Sequence, residues 1–103
     1  MSAIKVSKSN FDFIVKNSIK PVLLDFYAEW CAPCRMVSPV VDEIAREHPE
    51  YLVGKVNVDE DVELADRFGV VSIPMLVVMK NNEVTYHTIG ACSKSEILSI
   101  LKR

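Results

Sequence analysis

Apolar residues along the chain fall into runs and spacings that predict alternating strands and helices. Val22 to Tyr27 is almost continuously apolar, which is typical of a strand buried on both faces of a sheet. Apolar residues at helical spacing then run from Pro33 to Glu47, with a kink predicted at Pro39. Tyr51 to Val58 predicts another strand, and residues 59–68 predict a short helix.

The N-terminal residues predict a strand followed by a helix. Ala3 to Val6 is long enough for a short first strand. Apolar positions between residues 11 and 15 predict a helix, and Ser9 or Asn10 is a suitable N-cap.

The second half of the chain predicts a hairpin and a final helix. Met75 to Met79 and Glu83 to Ile89 are strand-like, and the three residues between them, 80–82, suit a tight turn. Ser93 begins the last helix, and Glu96 three residues later completes a capping box. These elements together predict one α/β domain over residues 1–103, with a buried sheet that is partly parallel and partly antiparallel.

Composition limits the classes of function. A chain of 103 residues, half of them hydrophobic, can form one core but not two domains. The net charge of -2, with both signs interspersed, argues against a nucleic-acid partner. The start lacks the apolar core of a signal peptide, and no run approaches the ~20 apolar residues of a membrane span. We therefore expect a cytoplasmic protein with no membrane attachment.

Two of the three cysteines form a close pair that needs a chemical explanation. Cys31 and Cys34 are separated by two residues at the start of a predicted helix, so they can approach within disulfide distance. The helix N-terminus favours a thiolate at Cys31, which we assign as the nucleophile; Cys34, one turn further in, is the resolving thiol. Pro33 suits the first helical turn, and Trp30 would shield one side of the site.

Two other interpretations of the pair need to be weighed. A zinc site requires a second half, but Cys92 stands alone, and His48 and His87 lack ligand-like spacing. Inert packing of two buried cysteines is common, but it leaves the surrounding strand, loop and helix unexplained. Dithiol–disulfide redox chemistry is the function that this segment favours.

The segment PVLLDFYAEWCAPCR, from Pro21 to Arg35, closely resembles the active-site segment of the thioredoxin family. The likeness extends nearly end to end, through residues 55–59, 68–70, 72–76 and 90–91. It implies a thioredoxin fold, with a central mixed sheet of about five strands flanked by about four helices. It also implies an enzyme-like electron carrier that reduces protein disulfides through Cys31 and Cys34.

The resemblance implies a docking groove beside the cysteines. Pro74 would follow a cis peptide bond and face the cysteines, although an Ile-Pro pair alone predicts an ordinary turn, since only about 5 to 6% of X–Pro bonds are cis. Gly90 would allow the substrate backbone to come close. The residues implied in substrate binding are Trp30, Ala32, Pro33, Ile73, Pro74, Gly90 and Ala91.

Asp25 has two interpretations. From the residues alone, it is a strand-end residue that reaches solvent, because a buried lone carboxylate is costly. The resemblance implies instead that Asp25 is buried beneath the active site, near Lys55, and accepts the proton of Cys34. Burial would raise the pKa of Asp25 towards the range of a general base, and Lys55 would oppose that shift.

The sequence departs from the family pattern at four positions. Ala32 replaces the usual glycine between the cysteines, which stiffens the loop and bears on the redox potential. Asn82 replaces a turn glycine but can still adopt a left-handed conformation. Tyr27 replaces a frequent tryptophan and Met75 a common threonine, and both bear on the preference for partners.

The implied partners are disulfide-containing proteins and a flavin- and NADPH-dependent thioredoxin reductase, since the chain has no nucleotide-binding signature. We expect a monomer with no bound cofactor or metal, whose redox group is the Cys31–Cys34 disulfide. A binding or assembly module with incidental thiols is the alternative, and oxidant or isomerase work is a third interpretation.

Cys92 is interpreted as a small buried hydrophobe, or else as a site of regulatory oxidation or dimerisation. The acidic residues 59–63 indicate a solvated helix start rather than a calcium loop.

Overall fold

The computed structural model describes residues 2–103, so Met1, the first residue of the predicted domain, lies outside the described residues. Its strands are β1 (Ile4–Lys5), β2 (Val22–Tyr27), β3 (Leu52–Asn57), β4 (Met75–Lys80) and β5 (Glu83–Ile89). Its helices are a π-helix (Asp12–Lys16), α1 (Ala32–Glu47), α2 (Val62–Arg67) and α3 (Lys94–Leu101). The predicted α/β architecture of about five strands and about four helices is confirmed.

The five strands form one sheet in the order β1-β3-β2-β4-β5. β3 pairs in parallel with β1 and β2, whereas β4 is antiparallel to both β2 and β5. The mixed sheet predicted from the sequence is therefore confirmed. Because Phe26 near the end of β2 pairs with Met75 at the start of β4, the segment after β2 and the segment before β4 lie at the same edge of the sheet.

Side chains of β2 alternate between two hydrophobic layers. Leu24 and Phe26 belong to a cluster with Phe11 and Leu64, which come from the π-helix side and from α2. Leu23 belongs to a second cluster with buried residues of α1 and α3 on the opposite face. By the same alternation, Asp25 points to the face that α1 and α3 cover.

The first helix differs from its prediction. The structure has a single-turn π-helix that begins after Phe11, and Asn10 does not cap it. The Asn10 side chain instead accepts a hydrogen bond from the Ser7 N–H at 2.8 Å and donates to the Lys5 carbonyl at 3.0 Å. Asn10 therefore closes the turn after β1, and its oxygen is not available to the helix.

The helix predicted over residues 59–68 begins later than expected, at Val62. The Asn57 side-chain oxygen accepts the backbone N–H groups of Asp59 and Glu60 at 2.9 and 3.2 Å, which holds these two residues in a turn. Asp61 is the true N-cap, with its carboxylate 3.0 Å from the Leu64 nitrogen. The first two acidic residues therefore precede the helix.

The C-terminal hairpin and helix cap are confirmed, although the turn is one residue shorter than predicted because Lys80 belongs to β4. Asn81 and Asn82 have φ values of 53° and 65°, as a tight hairpin turn requires. Ser93 and Glu96 form the capping box of α3. Within residues 2–103, the helices are all too short or too polar to cross a membrane.

Candidate active site

Cys31 and Cys34 form a disulfide at the start of α1, with their Cα atoms 5.2 Å apart. The chain turns sharply after β2, where the Cys31 N–H bonds to the Ala28 carbonyl at 3.2 Å, and Cys31 then serves as the N-cap of α1. Its Sγ accepts the Cys34 backbone N–H at 3.2 Å. An N–H directed at this sulfur stabilises a thiolate when the pair is reduced.

The two cysteines are largely shielded by their surroundings. Cys31 is 4% exposed, and Cys34, one turn further into α1, is 1% exposed. Between them, Ala32 and Pro33 are both exposed and form the first turn of α1, where proline costs no hydrogen bond.

The segment before β4 forms the facing wall of the site. The Ile73–Pro74 peptide bond is cis, as the resemblance implied. The Ile73 carbonyl oxygen lies 3.9 Å from the Cys31 Sγ. Gly90, at φ 98°, donates its N–H to the Pro74 carbonyl at 2.8 Å, which ties the end of β5 to the same wall. Residues from three distant segments therefore meet beside the disulfide.

Trp30 lies at the exposed edge of this site. Its side chain is 69% exposed, and its Nε1 donates a hydrogen bond to the Asp59 carboxylate at 2.8 Å. Ala91 is also exposed, Ile73 is half-buried and Pro74 is buried. Asp59 could not be assigned to the site from the sequence, because its only visible signal there is its place in an acidic run.

Asp25 is fully buried, so its interpretation as a strand-end residue that reaches solvent is wrong. Neither carboxylate oxygen has a hydrogen-bond partner among the described residues. Burial raises the pKa of Asp25 to about 7, the negative charge of Asp42 acts in the same direction, and the positive charge of Lys55 opposes both.

Lys55 lies beside Asp25 in the register of the sheet but pairs with another carboxylate. Its Nζ is 3.5 Å from Asp42 Oδ2 and 5.7 Å from the centre of the Tyr27 ring. The other oxygen of Asp42 accepts the Ala3 backbone N–H at 3.0 Å. Asp42 could not be assigned to the site from the sequence either, since nothing in its local pattern separates it from a solvated helix position.

A cavity of about 140 Å³ touches both Cys34 and Lys55. It has room for several water molecules. Arg35 closes part of the rim by donating to the Glu29 carbonyl at 2.8 Å. The lining residues are Tyr27, Ala28, Glu29, Cys34, Arg35, Ser38 and Lys55.

Cys92 lies outside this arrangement. It is half-buried and packs against the hydrophobic cluster under α1 and α3, as expected of a small apolar residue. Its Sγ is 3.7 Å from the Gly90 carbonyl oxygen.

The described part of the chain contains no cluster of His, Cys, Asp or Glu suited to a metal ion.

Comparison with known proteins gives one consistent result. The family model for thioredoxin matches residues 2–103. A thioredoxin from Pyropia yezoensis is 45% identical, over 100% of this chain and 97% of the relative. A thioredoxin from Haemophilus influenzae is 38% identical, over 95% of this chain and 92% of the relative.

A solved structure of a mutant thioredoxin from Halobacterium salinarum superposes with a TM-score of 0.90 at 30% sequence identity. The match covers 98% of this chain and 88% of that one. Fold, disulfide and sequence therefore agree. The chain belongs to the thioredoxin family, as a thiol–disulfide oxidoreductase that reduces disulfide-containing proteins, depends on a reductase and uses the redox-active Cys31–Cys34 pair rather than a bound cofactor.

Proposed function

We propose that this chain is a cytoplasmic electron-transport protein in which Cys31 is the nucleophile, Cys34 the resolving thiol and Asp25 the proton acceptor. One observation carries the assignment of the nucleophile. The Cys31 Sγ is the N-cap acceptor of α1, bonded to the Cys34 N–H, so helix N–H groups favour its thiolate.

The proposed reaction has two exchange steps. The Cys31 thiolate attacks one sulfur of the substrate disulfide, which forms a mixed disulfide and releases the other substrate sulfur as a thiolate. The Cys34 thiol then loses its proton and attacks the Cys31 sulfur, which forms the Cys31–Cys34 disulfide and releases the second substrate thiolate. The substrate disulfide gains two electrons, and the chain's dithiol loses them.

The proton of Cys34 is proposed to pass to Asp25. Asp25 points to the face of the sheet that α1 covers, and Cys34 belongs to the first turn of α1. A carboxyl whose pKa is near 7 is well matched to accept a proton at neutral pH. The cavity beside Cys34 also touches Lys55, the register partner of Asp25, but Asp25 itself is not among the lining residues.

The substrate is proposed to lie across the apolar surface beside the disulfide. An extended segment would contact Trp30 at one edge and the Ile73–Pro74 segment on the facing wall, and Gly90 would admit its backbone. Ala32, Pro33 and Ala91 complete this surface. A monomer suits this role, since the disulfide must stay open to large partners, and sedimentation analysis tests it.

Reduction of insulin disulfides by dithiothreitol, catalysed by the purified protein, tests the cysteine roles. Both Cys31→Ser and Cys34→Ser should abolish catalysis, but only Cys34→Ser should accumulate a mixed disulfide with insulin. Cys92→Ser is the matched control and should retain activity. An inactive wild-type protein would favour a binding module, and full activity in Cys34→Ser would contradict the resolving role.

Two further measurements test the proton acceptor and the electron source. Asp25→Asn should slow reduction and flatten its pH profile near neutral pH; an unchanged profile would remove Asp25 from the mechanism.

Oxidised protein should be reduced by a flavin-dependent thioredoxin reductase with matching consumption of NADPH. Failure with that reductase would point to a different electron donor.

A further inference from the structure

We propose that Asp42 is a positioning residue that holds the Lys55 ammonium group away from Asp25, and so leaves the Asp25 carboxyl free to gain and lose a proton. The effect on the reaction rests on the proposed role of Asp25 as proton acceptor. The effect on the titration of Asp25 holds whether or not Asp25 is the proton acceptor.

The register of the sheet places Lys55 where it would otherwise pair with Asp25. The two residues are partners in the parallel pairing of β2 and β3, and alternation puts both side chains on the face that α1 covers. Yet the Asp25 oxygens have no hydrogen-bond partner among residues 2–103, and the Lys55 Nζ lies 3.5 Å from Asp42 Oδ2.

The carboxylate of Asp42 is itself held in place. Its Oδ1 accepts the Ala3 backbone N–H at 3.0 Å, which leaves Oδ2 directed at Lys55. The side chains of Lys55 and Asp42 are only 21% and 23% exposed. Water and salt therefore screen this pair less than they screen an ion pair on the open surface.

Few other charges face Asp25. On β4 its partner in the register is Leu76, and the buried residues of α3 are all apolar. Tyr27 lies two residues further along β2, and α1 contributes Cys34 and Asp42. Lys55 and Asp42 are thus the charged residues that act on the Asp25 carboxyl in the oxidised protein.

Asp42 raises the pKa of Asp25 in two ways. The negative charge of Asp42 disfavours a second negative charge at Asp25, and the ion pair offsets the positive charge of Lys55. Removing the Asp42 charge should therefore lower the pKa of Asp25. Asp25 would then be a weaker base at neutral pH.

The direct test is titration of the Asp25 carboxyl carbon by NMR in the oxidised protein. Asp42→Asn removes the charge but keeps a carbonyl oxygen for the Ala3 N–H. We expect the Asp25 midpoint to fall by about half a pH unit. Glu43→Gln is the matched control, because Glu43 is the next residue of α1 and pairs with Lys94, and it should leave the midpoint unchanged. An unchanged or raised midpoint in Asp42→Asn would overturn the inference.

Two further variants separate positioning from a general structural effect. Asp42→Glu restores the charge and should return the midpoint towards the wild-type value. In a Lys55→Met background, Asp42→Asn should have a smaller effect, because only the direct repulsion remains. An effect of the same size with and without Lys55 would show that Asp42 does not act through the lysine.

The pH profile of insulin reduction separates this inference from the proposed function. If Asp25→Asn is as fast as wild type, the proton-acceptor role fails, and the NMR titration alone then decides the role of Asp42. If Asp25→Asn is slow, the Asp42→Asn profile should shift to lower pH together with the NMR midpoint. A profile that stays fixed in that case would overturn the inference.

Discussion

Asp25 and Lys55 are partners in the parallel register of β2 and β3, but their charged groups do not pair. The lysine lies against Asp42, and the buried carboxyl has no hydrogen-bond partner among the described residues. An ionised carboxylate in such surroundings is costly unless it is neutralised by a proton. The site therefore carries a stability cost that depends on pH.

The pH dependence of stability should reveal this cost. The pKa of Asp25 rises from 3.8 to about 7, so between these values the folded chain holds a proton that the unfolded chain has lost. The stability that this proton contributes is complete below about pH 4 and is lost as the pH rises through 7, by at most about 4 kcal/mol. Asp25→Asn should remove this decline, as measured by urea unfolding at several pH values.

A matched control isolates the buried group. Asp66→Asn makes the same chemical change at an exposed position on α2 and should keep the wild-type decline. The slope with pH is the relevant quantity, because the amide introduced by Asp25→Asn would itself lack partners at every pH. Parallel slopes in wild type and Asp25→Asn would contradict the raised pKa.

Gly54 lies on β3, between β1 and β2, where neighbouring side chains leave no room for a Cβ. A Cβ at this position would lie 2.7 Å from Val6 Cγ2 and 3.2 Å from Leu24 Cδ2. Gly54→Ala should therefore lower the free energy of unfolding by about 1 to 3 kcal/mol, as measured by urea unfolding. Adding Val6→Ala should recover part of the loss, and strictly additive effects would show that the clash is not the cause.

Asp59 should support substrate binding by holding Trp30. The indole is mostly exposed, and its hydrogen bond to Asp59 fixes it beside the disulfide. Losing a bond worth about 1 kcal/mol should raise the KM for insulin roughly fivefold in Asp59→Ala, with little change in kcat. Glu60→Ala is the control, since Glu60 pairs with Lys5 instead. Equal effects of the two variants would show that the hydrogen bond from Trp30 to Asp59 is not the cause.

The capping box of α3 should contribute measurably to stability. The Ser93 hydroxyl accepts the Glu96 N–H at 3.2 Å, and the Glu96 carboxylate accepts the Ser93 N–H at 2.8 Å. Ser93→Ala should cost about 1 kcal/mol in thermal or urea unfolding. Ser99→Ala, on the same helix away from the cap, should cost less, and a similar loss in both would argue against capping.

The sequence predicts those parts of the fold that local pattern determines. The bounds of β2 and β5 are confirmed, because each strand is limited by nearby turn or proline residues. The hairpin and the cap of α3 are also correct, since each depends on neighbours within a few residues. The cap at Asn10 is wrong because its side chain bonds both Ser7 and Lys5 in the preceding turn, and the sequence does not show whether such an asparagine serves the turn or the helix.

In the active site too, the sequence predicts the features that depend on neighbouring residues and not those that depend on distant ones. Spacing alone identifies Cys31 and Cys34, whose partner groups lie within one helical turn. Asp42 and Asp59 could not be identified, since their partners Lys55 and Trp30 lie 13 and 29 residues away. The roles of such polar residues become visible only when the sheet brings the distant segments together.

The antiparallel pairing of β2 with β4 also brings the two walls of the site together. Cys31 and Ile73 are 42 residues apart, and they meet only after β4 has added to the sheet. A growing chain that has folded only as far as α1 already carries both thiols, but it has no opposing wall against which a substrate can be aligned. Selectivity for partners therefore depends on β4, and a chain in which β4 has not joined the sheet is a dithiol without a recognition surface.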